Sequence, residues 1–219
     1  FENKKHMTSG GEGGMVITSD SDLATKVRKF AGIGYKNLGA SAGRTNLASA
    51  EFQNPNYKRH DVLGLNYRMT PLTACVGLAQ LERIEELVER RKKVASFFLE
   101  AVKDCSWMIK QDTIKDANHT YYTAGFVYLG EKQKSINWTS FYEKFTSLGG
   151  DGFYSAWVNP YLEDTLYGKS YANTLCKEGI CPVAEDLQKK LMLFKTNYRN
   201  LDQAKRQAEI LSNLIDEIG

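Results

Sequence analysis

A lysine ends in the amine that condenses with aldehydes once it sheds its proton, and Lys5 stands just ahead of the glycine run Gly10-Gly11-Glu12-Gly13-Gly14. A glycine-rich turn lets a backbone come close to a ligand, yet it also serves as a plain turn, and a lysine in such a place is commonly a surface charge. His6 adjoins it and offers acid or base chemistry. Three other groups carry possible chemistry: Asn66 within Gly64-Leu65-Asn66-Tyr67-Arg68-Met69, the aromatic pair Tyr154 and Trp157, and the basic and aromatic set Tyr35, Lys36, Tyr57, Lys58, Arg59 and His60. Aromatic rings stack on sugars and nucleotide bases, but core packing explains Phe153 and Trp157 equally well. The basic set suits either a diphosphate or water.

The elements around these residues are legible in outline. Met15-Val16-Ile17-Thr18 is a short apolar, β-branched run that reads as a buried strand. Leu23, Val27 and Phe30 follow at helical spacing behind N-cap candidates at 19–22. Residues 32–59 show no sustained period and are expected to form a long loop that faces substrate or a second subunit. Pro71 opens an apolar stripe through Leu72, Val76, Ala79, Ile84, Leu87 and Val88, which predicts one long helix continuing past Val94 and Phe98. Beyond it, Ala124, Phe126 and Tyr128 alternate as a strand, and 138–148 is a helix closed by Gly149-Gly150. Residues 184–192 have a helical pattern, and a last helix capped at Asp202 presents Ala204, Ala208, Leu211, Ile215 and Ile218. We therefore expect two domains, 1–105 and 106–219.

The composition sets limits on function. Of the 219 residues, 42% are hydrophobic and 25% charged, which suits a globular chain rather than a disordered one. The 29 basic and 26 acidic residues are interspersed, so nucleic acid is not an expected partner. No run approaches the length of a membrane-spanning helix. Four scattered cysteines form no CxxC pair and have no histidines at zinc-ligand spacing, so a reduced, cytoplasmic protein without a metal is expected, with a Cys176–Cys181 bridge left open. Phe1 in place of an initiator methionine leads us to expect the later part of a longer protein.

The order of these pieces resembles the DegT/DnrJ/EryC1/StrS family of pyridoxal-phosphate-dependent sugar aminotransferases. Lys5 through Gly14, followed by Met15 to Thr18 and Asp20 to Leu23, is similar to the family's cofactor-lysine run. A second match is Gly64 to Met69, continuing through Ala74, Gly77, Leu78, Gln80 and Leu81, and a third is Cys181-Pro182-Val183-Ala184-Glu185. One extra glycine departs from the pattern: counting back from Glu12 selects His6, whereas counting forward to Thr8 selects Lys5. A loop absorbs a glycine more easily than a turn changes its lysine-to-threonine spacing, so Lys5 is preferred.

The resemblance implies an α/β, fold-type I transferase: the end of the large cofactor domain plus a small α+β domain. It implies Lys5 as the Schiff-base lysine of pyridoxal 5'-phosphate and as a proton carrier, with Asn66 reaching the cofactor phosphate of a second subunit. A homodimer with shared sites, an amino-acid donor and a keto-sugar, nucleotide-linked, follow from it. By position Tyr154 and Trp157 resemble substrate-side residues; Asn66 is alternatively a turn asparagine before a helix, and Arg68, to which no role is assigned, is a candidate to fix the same loop by hydrogen bonding. A sugar dehydratase, with His6 in the lysine's place, and a non-catalytic scaffold protein are the alternatives.

Overall fold

The computed structural model describes residues 1–41 and 49–219, and the part of the expected loop at 42–48 lies outside the described residues. The chain divides into two compact units, Phe1–Glu82 and Arg83–Gly219.

In the first unit, Asp20 accepts the amides of Asp22 and Leu23 and so caps α1 (Ser21–Ala31), whose last turn carries Arg28 and Lys29 toward the negative end of the dipole. Ahead of it, Met15, Val16 and Ile17 are exposed and lie outside any helix or strand, so the buried strand expected there is corrected. The chain after α1 is not the aperiodic excursion expected. It folds back on residues 57–67 as a ribbon, with bridges Gly32↔Asn66 and Tyr35↔His60. The Ile33 amide donates to the Leu65 carbonyl at 3.0 Å, Leu65 to Phe30 at 2.7 Å, and Lys36 to Arg59 at 3.0 Å. Two glycines make this approach possible. A Cβ on Gly34, at φ +73°, would lie 2.0 Å from the Val62 carbonyl oxygen, and one on Gly64 would lie 2.4 Å from the Gly34 nitrogen. α2 (Ser49–Gln53) interrupts the ribbon, and α3 (Pro71–Leu81) follows it, capped by Thr70 with Pro71 in the first turn.

The single long helix expected from Pro71 is two helices. The apolar stripe runs through the junction, but Glu82 and Arg83 form a turn, and α4 (Ile84–Ala101) starts afresh with Glu85 and Glu86 where acidic groups favour an N-terminus. Arg83 donates to both Glu86 carboxylate oxygens at this start. Helix α4 lies wholly within the second unit. Its buried Arg91 donates to Thr196 Oγ1 at 3.0 Å and to the Tyr122 carbonyl at 3.2 Å, and desolvation lowers the guanidinium's pKa from its ordinary value.

The second unit is a three-stranded antiparallel sheet in the order β1 (Met108–Lys110), β2 (Thr123–Tyr128), β5 (Leu191–Lys195). Phe126 pairs with Met192 and Ala124 with Phe194, so the inward residues of the two strands stand side by side. The sequence pattern at 184–192 combines two elements: α7 (Pro182–Gln188) ends, and Leu191 begins a strand in which Met192 and Phe194 alternate inward. Four consecutive apolar residues suit helix or strand alike, and only pairing with β2 decides. Helices α5 (Gly130–Lys134), α6 (Trp138–Ser147) and α8 (Leu201–Ile218) complete the unit, with the small hairpin β3 (Ser170–Tyr171) and β4 (Thr174–Leu175). The cap of α8 is Asn200, which accepts the amides of Asp202 and Gln203, and Asp202 sits in the first turn. Phe98, Phe126, Phe141, Phe145, Phe153 and Phe194 form the core, with the Phe153 and Phe194 rings 4.9 Å apart.

Glu185 on α7 gathers a loop. It accepts the Tyr161 hydroxyl at 2.7 Å, the Gly179 amide at 2.9 Å and the Cys181 amide at 3.3 Å. The Tyr161 hydrogen bond, with the backbone donors behind it, holds this carboxyl below its usual value. Both Cys176 and Cys181 are free thiols, so the bridge left open between them is not formed.

Two outcomes follow from these contacts. Gly34→Ala is expected to open the ribbon, costing about 1–3 kcal/mol of local stability, read as lost exchange protection at the Ile33 and Leu65 amides while β2 stays protected; unchanged protection at Ile33 contradicts the close-approach argument. A carboxyl whose folded pKa is depressed contributes stability that is complete above its unfolded value of roughly 4.3 and is lost as pH falls through the folded value. The native Gly179 amide should therefore keep its protection at neutral pH and lose it at the acid end, whereas Glu185→Gln should lower it at neutral pH and flatten the acid dependence.

Candidate functional site

Lys5 lies on a turn whose geometry begins with Ser9. The Ser9 side chain is buried, and its hydroxyl donates to the Glu12 carbonyl at 3.3 Å. Thr8 Oγ1 accepts the Gly10 amide at 3.2 Å, and Gly10 turns at φ +80°. Gly13 closes over this serine so tightly that a Cβ there would stand 2.7 Å from Ser9 Oγ. Gly11 has open space around it, which is where an additional glycine is tolerated without disturbing the turn.

The turn is seated on α3. Ser9 Cβ lies 3.8 Å from the position a Gly77 Cβ would take, and Gly10 faces Val76. Helix α3 buries only Gly77, so the missing side chain there is the seat itself. The second motif meets the same turn, because a Cβ on Gly13 would lie 3.3 Å from Met69 Cε. Lys5 is exposed on this frame, with its own amide donating to the Glu2 carbonyl at 3.0 Å, and His6 is half-buried.

Asn66 sits in the ribbon, exposed, directly opposite Gly32. Its Oδ1 accepts a hydrogen bond from Arg68 Nε at 2.9 Å. The basic and aromatic set is used mostly within the ribbon: His60 Nδ1 contacts the Ile33 carbonyl at 2.7 Å and its ring stacks on Tyr35, while Lys36 lies over Tyr57. Lys29 and Asp61 form an ion pair beside it.

Tyr154 and Trp157 belong to the second unit. The Tyr154 backbone exchanges hydrogen bonds with Leu193 at 3.0 and 2.9 Å, extending the sheet beyond β5, and its side chain is 52% exposed. Trp157 is 90% exposed, so core packing, which accounts for Phe153, does not account for it. Gln188 Nε2 donates to the Ala156 carbonyl at 2.9 Å and holds the backbone between the two aromatics. From the sequence, Ser9 and Glu185 receive no role and are named only within family matches, and Gln188 is not named. A signal existed for Glu185: a glutamate four residues after Cys181 that reaches back to the amide at the start of its helix, in the manner of a capping box.

Among the described residues no helix is long and apolar enough to cross a membrane. The chain is 34% identical over 122 residues to the GDP-perosamine synthase of Escherichia coli O157:H7, a match covering 56% of this chain and 28% of that protein. It is 36% identical over 99 residues to the GDP-perosamine synthase of Caulobacter vibrioides, covering 45% of this chain and 21% of the relative. The structure superposes on the aminotransferase from Psychrobacter cryohalolentis with a TM-score of 0.79 at 24% identity, covering all of this chain and 55% of that one, a likeness of fold. These matches span between about a fifth and about half of the relatives' own lengths. The DegT/DnrJ/EryC1/StrS aminotransferase model matches residues 1–202, and the chain belongs to that family.

Proposed function

We propose that the protein carrying these residues transfers an amino group from an amino-acid donor to a nucleotide-linked keto-sugar with pyridoxal 5'-phosphate as cofactor, and works as a cytoplasmic homodimer with shared sites. The observation that supports this reading is an exposed lysine, Lys5, just ahead of a turn in which Ser9 packs on Gly77 and Gly13 approaches Met69 of the second motif, inside the region that matches the family. The names of the two synthases support a sugar joined to a nucleoside diphosphate. The four free cysteines support a reducing compartment. In this reading, residues 1–105 are the end of the cofactor domain with its connecting helix, and residues 106–219 are the small domain.

The donor set fits the cofactor at two of its ends. Lys5 would supply the amine for its aldehyde, and the carboxamide of Asn66, hydrogen-bonded to Arg68, would supply a donor for a phosphate oxygen of the cofactor in the other subunit. When bound, pyridoxal phosphate supplies an aldehyde that binds amines covalently and a ring that accepts electrons from the bond being broken. The protein's share is positional and acid–base. Lys5 would hold the cofactor through its amine and, when not so engaged, would move a proton during amino transfer, for which it must spend part of its time unprotonated. The rigid turn matters because a carrier misplaced by about 1 Å loses much of its rate. Tyr154 and Trp157 offer exposed rings, on a backbone held by Gln188 and Leu193, to a nucleotide base or a sugar. Lys5 supports amino transfer over sugar dehydration, for which His6 is the corresponding group.

Borohydride reduction of the full-length protein with its cofactor is expected to fix the pyridoxyl group on Lys5, read by tandem mass spectrometry that separates it from Lys4. Lys5→Ala is expected to abolish the label and lower amino transfer by about 100- to 10,000-fold. A label on Lys4, or retained activity in Lys5→Ala, overturns the assignment. Trp157→Ala, at an exposed position, is expected to leave thermal stability unchanged and to raise KM for the sugar nucleotide about 3- to 10-fold; an unchanged KM removes Trp157 from the substrate surface.

A further inference from the structure

Between α6 and the two exposed aromatics the chain passes through Gly149-Gly150-Asp151-Gly152, where Gly149 and Gly152 turn at φ +90° and +79°. A stretch so rich in glycine is costly to hold in one conformation, because glycine has the most backbone freedom to lose. Polar side chains from elsewhere in the second unit hold it. Gln207 is buried on α8 among Ala204, Ala208 and Leu211, and both ends of its carboxamide are used on this turn. Its Oε1 accepts the Asp151 amide at 2.6 Å, and its Nε2 donates to the Gly149 carbonyl at 3.2 Å. An apolar side chain would fill that place without the desolvation cost of an amide, so packing alone does not account for the glutamine. Asp151 extends the hold outward. Its Oδ2 accepts the Tyr198 hydroxyl at 3.0 Å and pairs with Lys195 Nζ at 2.6 Å, and the same ammonium lies 4.7 Å over the Tyr198 ring. Burial, with the Asp151 carboxylate beside it, pushes the pKa of the Tyr198 hydroxyl up, so it remains a donor to Asp151.

The segment that leaves this turn carries the two exposed rings. Phe153 enters the core, the Tyr154 backbone bridges to Leu193, and Trp157 follows. A ring grips a flat ligand better when its backbone is already in place, since ordering a segment on binding consumes part of the contact energy. We propose that Asp151 and Gln207 are positioning residues for the Tyr154–Trp157 surface: the Gln207 clamp and the Asp151–Lys195–Tyr198 cluster preset the glycine turn, and through it the affinity of that surface for the nucleotide part of a nucleotide-linked substrate. The inference rests on the reading of Tyr154 and Trp157 as substrate-side rings and is independent of Lys5. A role in stability alone would weaken the whole second unit and leave the affinity of the folded protein unchanged.

The test uses the full-length protein with its cofactor and two probes, GDP and UDP, a purine and a pyrimidine nucleoside diphosphate, titrated while tryptophan fluorescence is followed. Trp157→Phe identifies the share of the signal that belongs to Trp157. At least one probe is expected to quench that share. Asp151→Ala and Gln207→Met should each weaken this binding about 3- to 10-fold and speed exchange of the Tyr154 amide about 10-fold. Asp151→Asn, which keeps an oxygen for Tyr198 and Lys195, should bind within about 2-fold of the unaltered protein. The β2 amides should stay protected and Lys5 should still take the borohydride label in every variant, which separates placement of the segment from loss of the fold. If neither probe quenches Trp157, the substrate-side reading fails and the inference falls with it. Three results overturn the inference alone: binding as tight in either Asp151→Ala or Gln207→Met as in the unaltered protein, weakening seen only where β2 protection is lost, or Asp151→Asn as weak as Asp151→Ala.

Discussion

The candidate site depends on a contact between a buried serine and a helix position that has no side chain. Ser9 fits against Gly77, and Gly13 closes over Ser9 from the other side. The amine of Lys5 is long and flexible, so its usefulness as a tether and proton carrier depends on how firmly its Cα is held. The turn that follows Lys5 is packed from small residues, where there is little side-chain entropy to lose.

A second close approach organises Asn66. Gly34 and Gly64 let two backbone segments come together where any Cβ would collide, and the resulting hydrogen bonds fix Asn66 opposite Gly32 at the end of α1. Arg68 then donates to the carboxamide oxygen. Both proposed cofactor contacts are thus backbone constructions decorated by one side chain each. The second unit is built in the opposite way. Its rings pack edge to face around Phe153 and Phe194, and α4 is tied to the ends of β2 and β5 through Arg91 and Thr196. The second unit has its own core, whereas in the first unit large apolar residues such as Leu63 and Leu72 are exposed.

The difference explains which elements were legible. Alternation at Ala124, Phe126 and Tyr128 and the face of α8 were readable because each is buried against its own unit, so the pattern and the packing agree. The break between α3 and α4 was missed because apolar spacing ran through it, although the acidic pair Glu85-Glu86 marked a new N-terminus. Strand β5 was merged into a helix because a run of four apolar residues fits both periods. The ribbon was read as aperiodic because its pairing rests on glycine and polar residues rather than on a hydrophobic face.

What the linear sequence determined is local chemistry and order: an amine before a glycine turn, an asparagine before an arginine, caps at Asp20 and Thr70, and the family pattern that these residues spell. Such features are set by neighbours a few positions apart, where covalent geometry limits the choices. Only the tertiary structure decided that Ser9 sits on Gly77, that Gly34 meets Val62, that Phe153 is core while Trp157 is exposed, and that Glu185 gathers Tyr161 with Gly179. Those contacts join residues up to 68 positions apart, and their existence depends on shape and burial, which no single segment carries.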